Sequence, residues 1–371
     1  MSSVPKLFQP IKVGNVTLQH RIALAPMTRM RCTADNVPLP IMKEYYAQRA
    51  HTPGTLLISE AAQIHPAAVT FPNVPGIHND VQVAAWKEII DAVHAHLAKE
   101  CSFFMQLWAT GRSGFPDVVK SRGYDYVSAS ALKLSDGTET PRALTKEEIN
   151  EYIRWYSEAA TNAIKAGADG VEIHAANGHL IDQFLQDVSN IREDEYGGSI
   201  ENRARFGLEI VDAVVKAVGP ERTAIRLSPW GVYHDMGMKE PEPQFSYFVE
   251  QLKARHPNLA YLHLVEAREN SVMDEEAQQS NDYLRKIWAP RPLVSCGAYS
   301  RKLALEVAET KGDIIAVGRP FVSNPDLVER WRHNWQLSTY KREFFYIPGG
   351  GPEGYLDYPV ATEAQRAKIV E

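Results

Sequence analysis

The sequence is poor in cysteine and lacks long apolar runs. The 3 cysteines among its 371 residues, Cys32, Cys101 and Cys296, lie far apart, so no disulfide framework is expected. No stretch approaches the ~20 apolar residues that a membrane span needs, and the first residues lack the apolar core of a signal peptide. Cys-x-x-Cys and His-Glu-x-x-His are both missing, which leaves a metal site without support. We therefore expect a cytoplasmic protein with no metal and no membrane contact.

An excess of positive charge is missing as well. Lys and Arg number 40 against 46 Asp and Glu, and the resulting net charge of −6 has the wrong sign for a protein that binds nucleic acid. Apolar residues make up 44% and charged residues 23% of the chain, as in ordinary globular proteins. No linker rich in Pro, Gly or Ser divides the sequence. We expect residues 1–371 to form a single domain, present as a monomer or homodimer.

Eight short apolar runs alternate with amphipathic stretches along the chain. Each run is rich in β-branched or aromatic residues, as strands buried on both faces are. Thr145 and Glu148 form a capping-box pattern before a helix that should end near Gly167, and Ser199 begins another that should end at Gly219. The runs are Arg21–Pro26, Gly54–Glu60, Cys101–Trp108, Asp169–His174, Thr223–Ser228, Leu259–Leu264, Pro292–Gly297 and Asp313–Gly318. This alternation predicts the α/β class, with a parallel sheet closed into a single (β/α)8 TIM barrel.

Two further features bear on the fold. A doubly wound sheet, the rival architecture, would carry a Gly-x-Gly-x-x-Gly turn after an early strand, and the sequence has none. The segments 112–141 and 265–283 are long for connections, and loops of that length commonly cover or line binding sites. We expect both loops to lie near the mouth of the barrel.

Polar residues and glycines end or follow most of the predicted strands. In a barrel, the loops after the strands meet over the carboxyl-terminal mouth, where the chemistry of this fold is found. A lone Arg226 could simply pair with Glu60 or Glu172, but polar groups at six of the eight strand ends favour a functional site. Gly318 and Arg319 offer backbone and a guanidinium that suit a phosphate. The wider set is Pro26–Arg29, Ser59–Ala61, Gln106–Trp108, Glu172–His179, Arg226, Cys296–Gly297 and Gly318–Phe321. A phosphorylated cofactor or substrate is therefore expected.

Several longer motifs resemble the old yellow enzyme family of flavin-dependent ene-reductases. They cover almost the whole chain and look most like the fungal branch that includes chanoclavine-aldehyde reductases. The motifs are Leu7–Pro10, Arg21–Arg29, Gln106–Trp108, Gly170–Gly178, Tyr196–Phe206, Arg226–Pro229, Val317–Asp326 and Gly354–Pro359. The resemblance implies a (β/α)8 barrel that binds one non-covalent FMN over its mouth and takes hydride from NADPH.

The same resemblance implies a set of flavin-binding residues. The Thr28 hydroxyl would donate to the C4 carbonyl of the flavin, and Arg226 would stabilise the negative charge near N1 of the reduced ring. Gly297, Gly318 and Arg319 would surround the phosphate. The implied set is Pro26, Met27, Thr28, Ala61, Gln106, Arg226, Gly297, Gly318 and Arg319.

A substrate site is implied beside the flavin. His174 and Asn177 correspond to the family pair that hydrogen-bonds the substrate carbonyl. Two fixed donors there would stabilise the enolate that forms when hydride reaches the β-carbon of an enone. Trp108 and Tyr346 would shape the cavity above the flavin.

One position departs from the family pattern. Two residues after the asparagine, where the family usually has the tyrosine that protonates the α-carbon, this chain has His179. If His179 is the acid, reoxidation of the flavin by an enone should slow as pH rises through roughly 6–7. Alternatively, His179 shapes the cavity and solvent supplies the proton.

The sequence thus predicts an NADPH-dependent ene-reductase that acts on an enone or enal. A flavoprotein isomerase or desaturase of the same fold is the first alternative, because the usual proton donor is replaced by His179. A barrel aldolase or sugar-phosphate isomerase without flavin is the second, although no Schiff-base lysine or pair of carboxylates stands out at the strand ends. A non-catalytic binding protein is the third.

Overall fold

Eight parallel strands close into a barrel in the computed structural model, which describes residues 4–95, 101–267 and 279–368. In chain order the strands are β1 (Ile11–Val13), β2 (Val16–Leu18), β3 (Ile22–Leu24), β4 (Leu56–Ile58), β5 (Ala62–Gln63), β6 (Ser102–Trp108), β7 (Val127–Ser128), β8 (Arg142–Ala143), β9 (Gly170–Ala175), β10 (Thr223–Leu227), β11 (Tyr261–Val265), β12 (Leu293–Cys296) and β13 (Ile314–Val317). The barrel runs β3-β4-β6-β9-β10-β11-β12-β13 and returns to β3. Each of the eight predicted runs overlaps one barrel strand, and β9 and β11 each extend one residue beyond their runs, so the predicted fold is confirmed.

Helices connect the barrel strands on the outside. They are α1 (Ile41–Arg49), α2 (Asp80–Ala95), α3 (Pro116–Lys120), α4 (Lys146–Lys165), α5 (Leu180–Leu185), α6 (Ile200–Val218), α7 (Pro241–Arg255), α8 (Asp282–Trp288), α9 (Arg301–Lys311), α10 (Arg319–Ser323), α11 (Leu327–His333) and α12 (Glu363–Arg366). The predicted capping box is present, because Glu148 N–H donates to the Thr145 hydroxyl and Thr145 N–H donates to the Glu148 carboxylate. Ser199 and Gly219 bound α6 as predicted. None of the helices in the described part of the chain is long and apolar enough to cross a bilayer.

The inside of the barrel is apolar except on part of its carboxyl-terminal side. Side chains on a strand alternate between the two faces, so every second residue points inward. One buried apolar cluster lines the interior, and the β1–β2 hairpin adds Val13 and Leu18 to it. Its barrel members include Ala23, Leu56, Phe104, Ala224, Tyr261 and Ile314. Two residues further along β6, β10 and β11, the same face carries Gln106, Arg226 and His263, which form a polar floor for the mouth. On β3, β4 and β13 the interior stays apolar.

The two long loops differ in what the structure describes of them. Segment 112–141 contains α3 and strand β7, which pairs with β8. Arg112 in this segment donates to the Leu132 and His234 carbonyls, each at 3.2 Å, and so ties it to the loop after β10. Of the predicted loop 265–283, residues 268–278 lie outside the described residues.

Candidate active site

The predicted site residues on the barrel strands come together at the carboxyl-terminal mouth. They follow or end β3, β4, β6, β9, β10, β12 and β13, which are parallel neighbours in one closed sheet. Tyr346 belongs to the segment after α11, and its side chain is 53% exposed. That segment packs on the loop after β3, since Gly349 N–H donates to the Met30 carbonyl at 2.8 Å and Arg31 donates to the Phe345 carbonyl at 3.0 Å.

A buried carboxylate lies at the centre of the mouth's floor. Glu172 is fully buried, and its Oε1 accepts a hydrogen bond from Gln106 Nε2 at 2.7 Å. Its Oε2 accepts from the Tyr261 hydroxyl at 2.9 Å and lies 2.8 Å from His263 Nδ1. A carboxylate can accept all three bonds at once, so Glu172 joins three strands into one network.

The charges of this network balance each other. Burial alone would raise the pKa of Glu172, but His263, Arg226 and the Gln106 hydrogen bond lower it below its ordinary value. Burial alone would lower the pKa of His263, but Glu172 and Cys296 raise it. Both directions describe an ion pair between a carboxylate and an imidazolium. The network thus holds its own counter-charge.

This network orients two of the predicted flavin-binding groups. Gln106 Nε2–H donates to the Glu172 carboxylate, which can only accept. This bond fixes the orientation of the Gln106 amide and leaves its oxygen available as an acceptor. Arg226 is 8% exposed, and its guanidinium lies 3.1 Å from Cys296 Sγ. The charge of Arg226 contributes to the lowered pKa of Glu172, whereas Glu60, the other partner considered from the sequence, accepts from Arg29 N–H at 3.2 Å.

His174 presents a hydrogen-bond donor to the mouth. Ala176 N–H donates to its Nδ1 at 3.3 Å, so in the neutral ring the proton sits on Nε2. Burial, followed by the charges of Arg226, His263 and His234, lowers the pKa of His174 well below its ordinary value. The ring is therefore neutral at physiological pH and donates through Nε2.

Asn177 follows on the same loop with a left-handed backbone, φ 58. Its main-chain N–H donates to Ser228 Oγ at 2.7 Å, and Ser228 Oγ lies 3.3 Å from the buried Asp182 carboxylate. Gly178 N–H donates to the same carboxylate at 2.9 Å. These bonds fix the backbone that carries the half-buried Asn177 side chain, three residues after His174.

His179 lies against the same space. Its ring is 4.7 Å from that of His174 and 4.9 Å from that of Trp108, edge-on to both. Its Nδ1 is 2.7 Å from Ser113 Oγ, on the long segment after β6. Burial, and then His174, His234 and Arg226, lower the pKa of His179 well below its ordinary value.

A third histidine reaches the loop that carries Asn177. His234 Nδ1 lies 2.9 Å from the Asn177 carbonyl, which can only accept, so Nδ1 carries the proton. This approach requires glycine at 178, where φ is +73 and a Cβ would stand 2.5 Å from the Tyr233 carbonyl oxygen. A side chain at 178 would push the two loops apart.

Aromatic rings form one wall of the mouth. Trp108 is 3% exposed, and its ring lies 6.4 Å from His174 and 5.3 Å from Phe71, nearly parallel to both. Phe71 in turn contacts Phe115, which is 58% exposed. An apolar surface thus leads from solvent down to His174.

The residues of the mouth fit a flavin nucleotide. Gln106 offers an oriented acceptor for an imide N–H, and Arg226 adds a cation beside it. On the β12 and β13 side, Gly318 has no side chain and approaches Met27, whose Sδ stands 2.7 Å from the position of a Cβ. Gly297 has φ +131, so a side chain there would strain the backbone. This bare backbone beside Arg319 could hold a phosphate.

Four participants were missed by the sequence analysis. His263 and Tyr261 are hidden in an otherwise apolar run, although a histidine in such a run is itself a signal. Ser113 and His234 lie on loops, where nothing in the sequence marks them.

Comparison with known proteins finds relatives over almost the whole chain. Residues 6–338 match the model of the NADH:flavin oxidoreductase / NADH oxidase family. A chanoclavine-I aldehyde reductase of Penicillium roqueforti is 49% identical over 98% of both chains. A protein of Epichloe festucae named a probable inactive reductase is 46% identical over 97% of both. Among solved structures, the old yellow enzyme homologue of Zymomonas mobilis (38% identity, 96% of this chain and 100% of that one) and morphinone reductase with tetrahydroNAD (39%, 97% and 99%) both align with a TM-score of 0.88.

Proposed function

Because the chain belongs to the NADH:flavin oxidoreductase / NADH oxidase family, it is a flavin-dependent oxidoreductase, and we propose that it reduces the carbon–carbon double bond of α,β-unsaturated aldehydes or ketones. The observation that supports this proposal is His174, whose Nε2–H is a donor at the mouth that also holds Gln106 and Arg226, with Asn177 three residues further along the same loop. A relative of Aspergillus flavus is named an NADP-dependent oxidoreductase, which favours NADPH as the hydride donor.

The proposed cofactor site uses the residues predicted from the sequence. Bound FMN would supply the two-electron chemistry of hydride transfer between nicotinamide and substrate. Gln106 and Arg226 would hold the pyrimidine edge together with Ala61, and Arg319 would hold the phosphate beside Gly297 and Gly318. Pro26, Met27 and Thr28, all half-buried after β3, line the ring.

The proposed carbonyl site acts on the charge that develops during the reaction. His174 and Asn177 donate to the carbonyl oxygen, and both bonds strengthen as the oxygen becomes an enolate. His174 is suited to this task because its donor is fixed by the Ala176 N–H on the other nitrogen. A neutral donor here avoids placing a buried cation in the resting site.

The substrate enters along the aromatic wall. Trp108 and Phe71 offer flat apolar surface beside His174, and we assign the exposed Tyr346, on the segment after α11, to the outer edge of the cavity. Two of the fungal relatives are named chanoclavine-I aldehyde reductases, which favours an aldehyde substrate. His179 faces the same space.

Of the alternative functions predicted from the sequence, one is excluded and one remains a candidate. An aldolase or sugar-phosphate isomerase without flavin is excluded by membership of a flavin family. An isomerase or desaturase remains the second candidate, because His179 occupies the position of the usual acid. A cytoplasmic location, a single domain and a monomeric or homodimeric state stay predictions from the sequence.

The test is spectroscopic. The purified protein with FMN should show flavin absorbance, lose it on anaerobic addition of NADPH and regain it on addition of cyclohexenone. The product should be cyclohexanone in an amount equal to the NADPH consumed. A protein that takes up no FMN, or whose reduced flavin is not reoxidised by any enone or enal, would contradict the proposal.

A further inference from the structure

Two short contacts of one hydroxyl determine where the proton of His179 sits. Ser113 Oγ lies 2.8 Å from the Thr110 carbonyl oxygen and 2.7 Å from His179 Nδ1. A serine hydroxyl has one hydrogen to donate, and a carbonyl oxygen has none. If Ser113 donated to His179, its oxygen would face the Thr110 carbonyl at 2.8 Å with no hydrogen between them. Both contacts are satisfied only when Ser113 donates to Thr110 and His179 Nδ1–H donates to Ser113.

This arrangement leaves the other ring nitrogen bare. A neutral imidazole carries one proton, so Nε2 of His179 is a hydrogen-bond acceptor. The surroundings keep the ring neutral, since burial and the charge of Arg226 oppose a cation there, as would a charge on His174 or His234. His174 has the opposite tautomer, with its proton on Nε2. The two adjacent rings therefore have different tasks, one donating and one accepting.

From this geometry we infer that His179 is a proton acceptor, and that the oxidised enzyme exchanges the α-hydrogens of a saturated ketone or aldehyde through an enolate. The inference rests on the proposed function in one respect, because it places the substrate carbonyl on His174 and Asn177. A substrate held there lies beside His179, whose ring is 4.7 Å from that of His174.

The step involves no oxidation or reduction. The Cα–H bond breaks, its electron pair forms the C=C bond of the enolate, and the proton goes to His179 Nε2. The negative charge moves to the oxygen, where His174 and Asn177 hold it. His179 becomes an imidazolium, which Ser113 Oγ still accepts from at Nδ1. The proton on Nε2 exchanges with solvent, and return of a solvent proton to Cα restores the carbonyl compound.

The enolate supplies what the resting site lacks. Burial and cationic neighbours disfavour the imidazolium of His179, but a negative charge beside the ring offsets that cost. Ser113 orients the ring and is a positioning residue. The same geometry makes His179 a poor acid in ordinary turnover, so water delivers the α-proton during reduction.

The experiment uses the oxidised FMN holoenzyme in D2O without NADPH, with cyclohexanone as the probe. Deuterium at the α-carbons is followed by proton NMR, while the flavin absorbance verifies that no electrons are transferred. The wild-type protein should exchange α-hydrogens well above the rate of buffer alone. His179→Phe should lose about 100-fold in exchange, a typical contribution of a general base.

Ser113 is tested separately, because its hydroxyl fixes the tautomer. Ser113→Ala should slow exchange by about tenfold, since a hydrogen bond to the forming imidazolium is lost. Nitrogen-15 spectra of the ring should also show His179 shifting toward the Nε2–H form, a change that a purely structural role would not cause. Ser121→Ala is the matched control, because the Ser121 hydroxyl donates to the Val118 carbonyl at the exposed surface.

The outcomes separate the two proposals. A wild-type enzyme that reduces enones but exchanges no faster than buffer overturns the acceptor role of His179 and leaves the proposed reduction standing. Exchange at the wild-type rate in His179→Phe overturns it as well, as does a wild-type His179 with its proton on Nε2. An enzyme that turns over no enone or enal refutes the proposed function instead.

Discussion

His263 and His179 are both buried histidines of one barrel, yet their surroundings shift their pKa values in opposite directions. His263 touches the Glu172 carboxylate, and its pKa is raised in spite of complete burial. His179 is surrounded by His174, His234 and Arg226, and its pKa is well below its ordinary value. The difference is the Glu172 carboxylate, with Cys296 as a second group that raises the pKa of His263. In the interior network, Glu172 supplies the negative charge that balances His263. The histidines at the rim of the mouth, His174 and His179, have no such carboxylate partner in the described contacts and would be stabilised by the negative charge of a bound ligand.

This contrast explains why the mouth suits an enolate. A resident carboxylate beside His174 would already satisfy the donors and would repel the developing oxyanion. The floor of the mouth needs its carboxylate for the opposite reason, because Gln106 must be held in one orientation. The following predictions test the two regions, beginning with the largest expected effect.

Removal of the interior carboxylate charge should be the most damaging single change. Glu172→Gln leaves His263 without its counter-charge, and breaking a buried pair costs about 3–5 kcal/mol of unfolding free energy. The loss should be larger at pH 6 than at pH 8, because the imidazole can shed its proton at higher pH. Urea titration at the two pH values measures it.

Glu209→Gln is the control for that experiment. Glu209 accepts from the Tyr196 hydroxyl at 3.0 Å but has no histidine partner, so its change should cost well under ~1 kcal/mol. If Glu172→Gln and Glu209→Gln lost the same unfolding free energy, the claim that Glu172 and His263 form a buried ion pair would be contradicted.

On the rim, loss of one donor should appear in turnover. Asn177→Ala should lower the rate of enone reduction by about 10²–10³, or about 2.7–4 kcal/mol of transition-state stabilisation. Phenol affinity, read from the charge-transfer band of a phenolate on oxidised flavin, should fall in parallel. If both quantities stayed at the wild-type level, the pair would be misassigned.

The phosphate region should show a smaller effect. Arg319→Ala should weaken FMN binding by about 10–100-fold, since a hydrogen bond to a charged group is worth about 1.5–3 kcal/mol. Fluorescence titration of the apoprotein with FMN measures the change. Arg332→Ala, which removes a surface pair with Glu329, is the control and should bind FMN as the wild type does.

The smallest expected effect is on the pH dependence of stability. The folded-state pKa of His179 lies below the unfolded value near ~6.5, so the unfolded state binds more protons in acid and stability falls as pH drops. Between pH 6.5 and 5.5 one such group contributes a loss of about 1 kcal/mol. His179→Phe should remove this part of the decline, with FMN held in constant excess.

The exposed His333 provides the matched control, and His333→Gln should decline as the wild type does. The Glu172–His263 pair contributes a pH dependence of stability with the opposite sign. The raised pKa of His263 contributes stability that is present below ~6.5 and is lost as pH rises through its folded value. An acid decline in His179→Phe as steep as that of the wild type would mean that His179 is charged in the folded state.

The barrel and the place of its site could be read from the sequence for physical reasons. A parallel strand buried on both faces has to be continuously apolar, so the eight runs stood out, and polar residues at their ends had to share one mouth. The hydrogen bonds that determine the protonation states of the histidines could not be predicted from the sequence in this way. The Glu172–His263 bond joins residues 91 apart and depends on the register of three strands. The Ser113–His179 bond spans 66 residues and depends on how a long loop folds back.

The most direct test of this account is nitrogen-15 NMR of the histidine rings in the FMN holoenzyme at pH 6.5. Two-bond proton–nitrogen spectra distinguish the two neutral tautomers from the imidazolium, and single substitutions assign the signals. We predict His263 mainly as imidazolium, His174 neutral with its proton on Nε2, and His179 neutral with its proton on Nδ1. A neutral His263, or a His179 that is cationic or protonated on Nε2, would contradict the division between a charge-balanced interior and a rim that awaits the charge of its ligand.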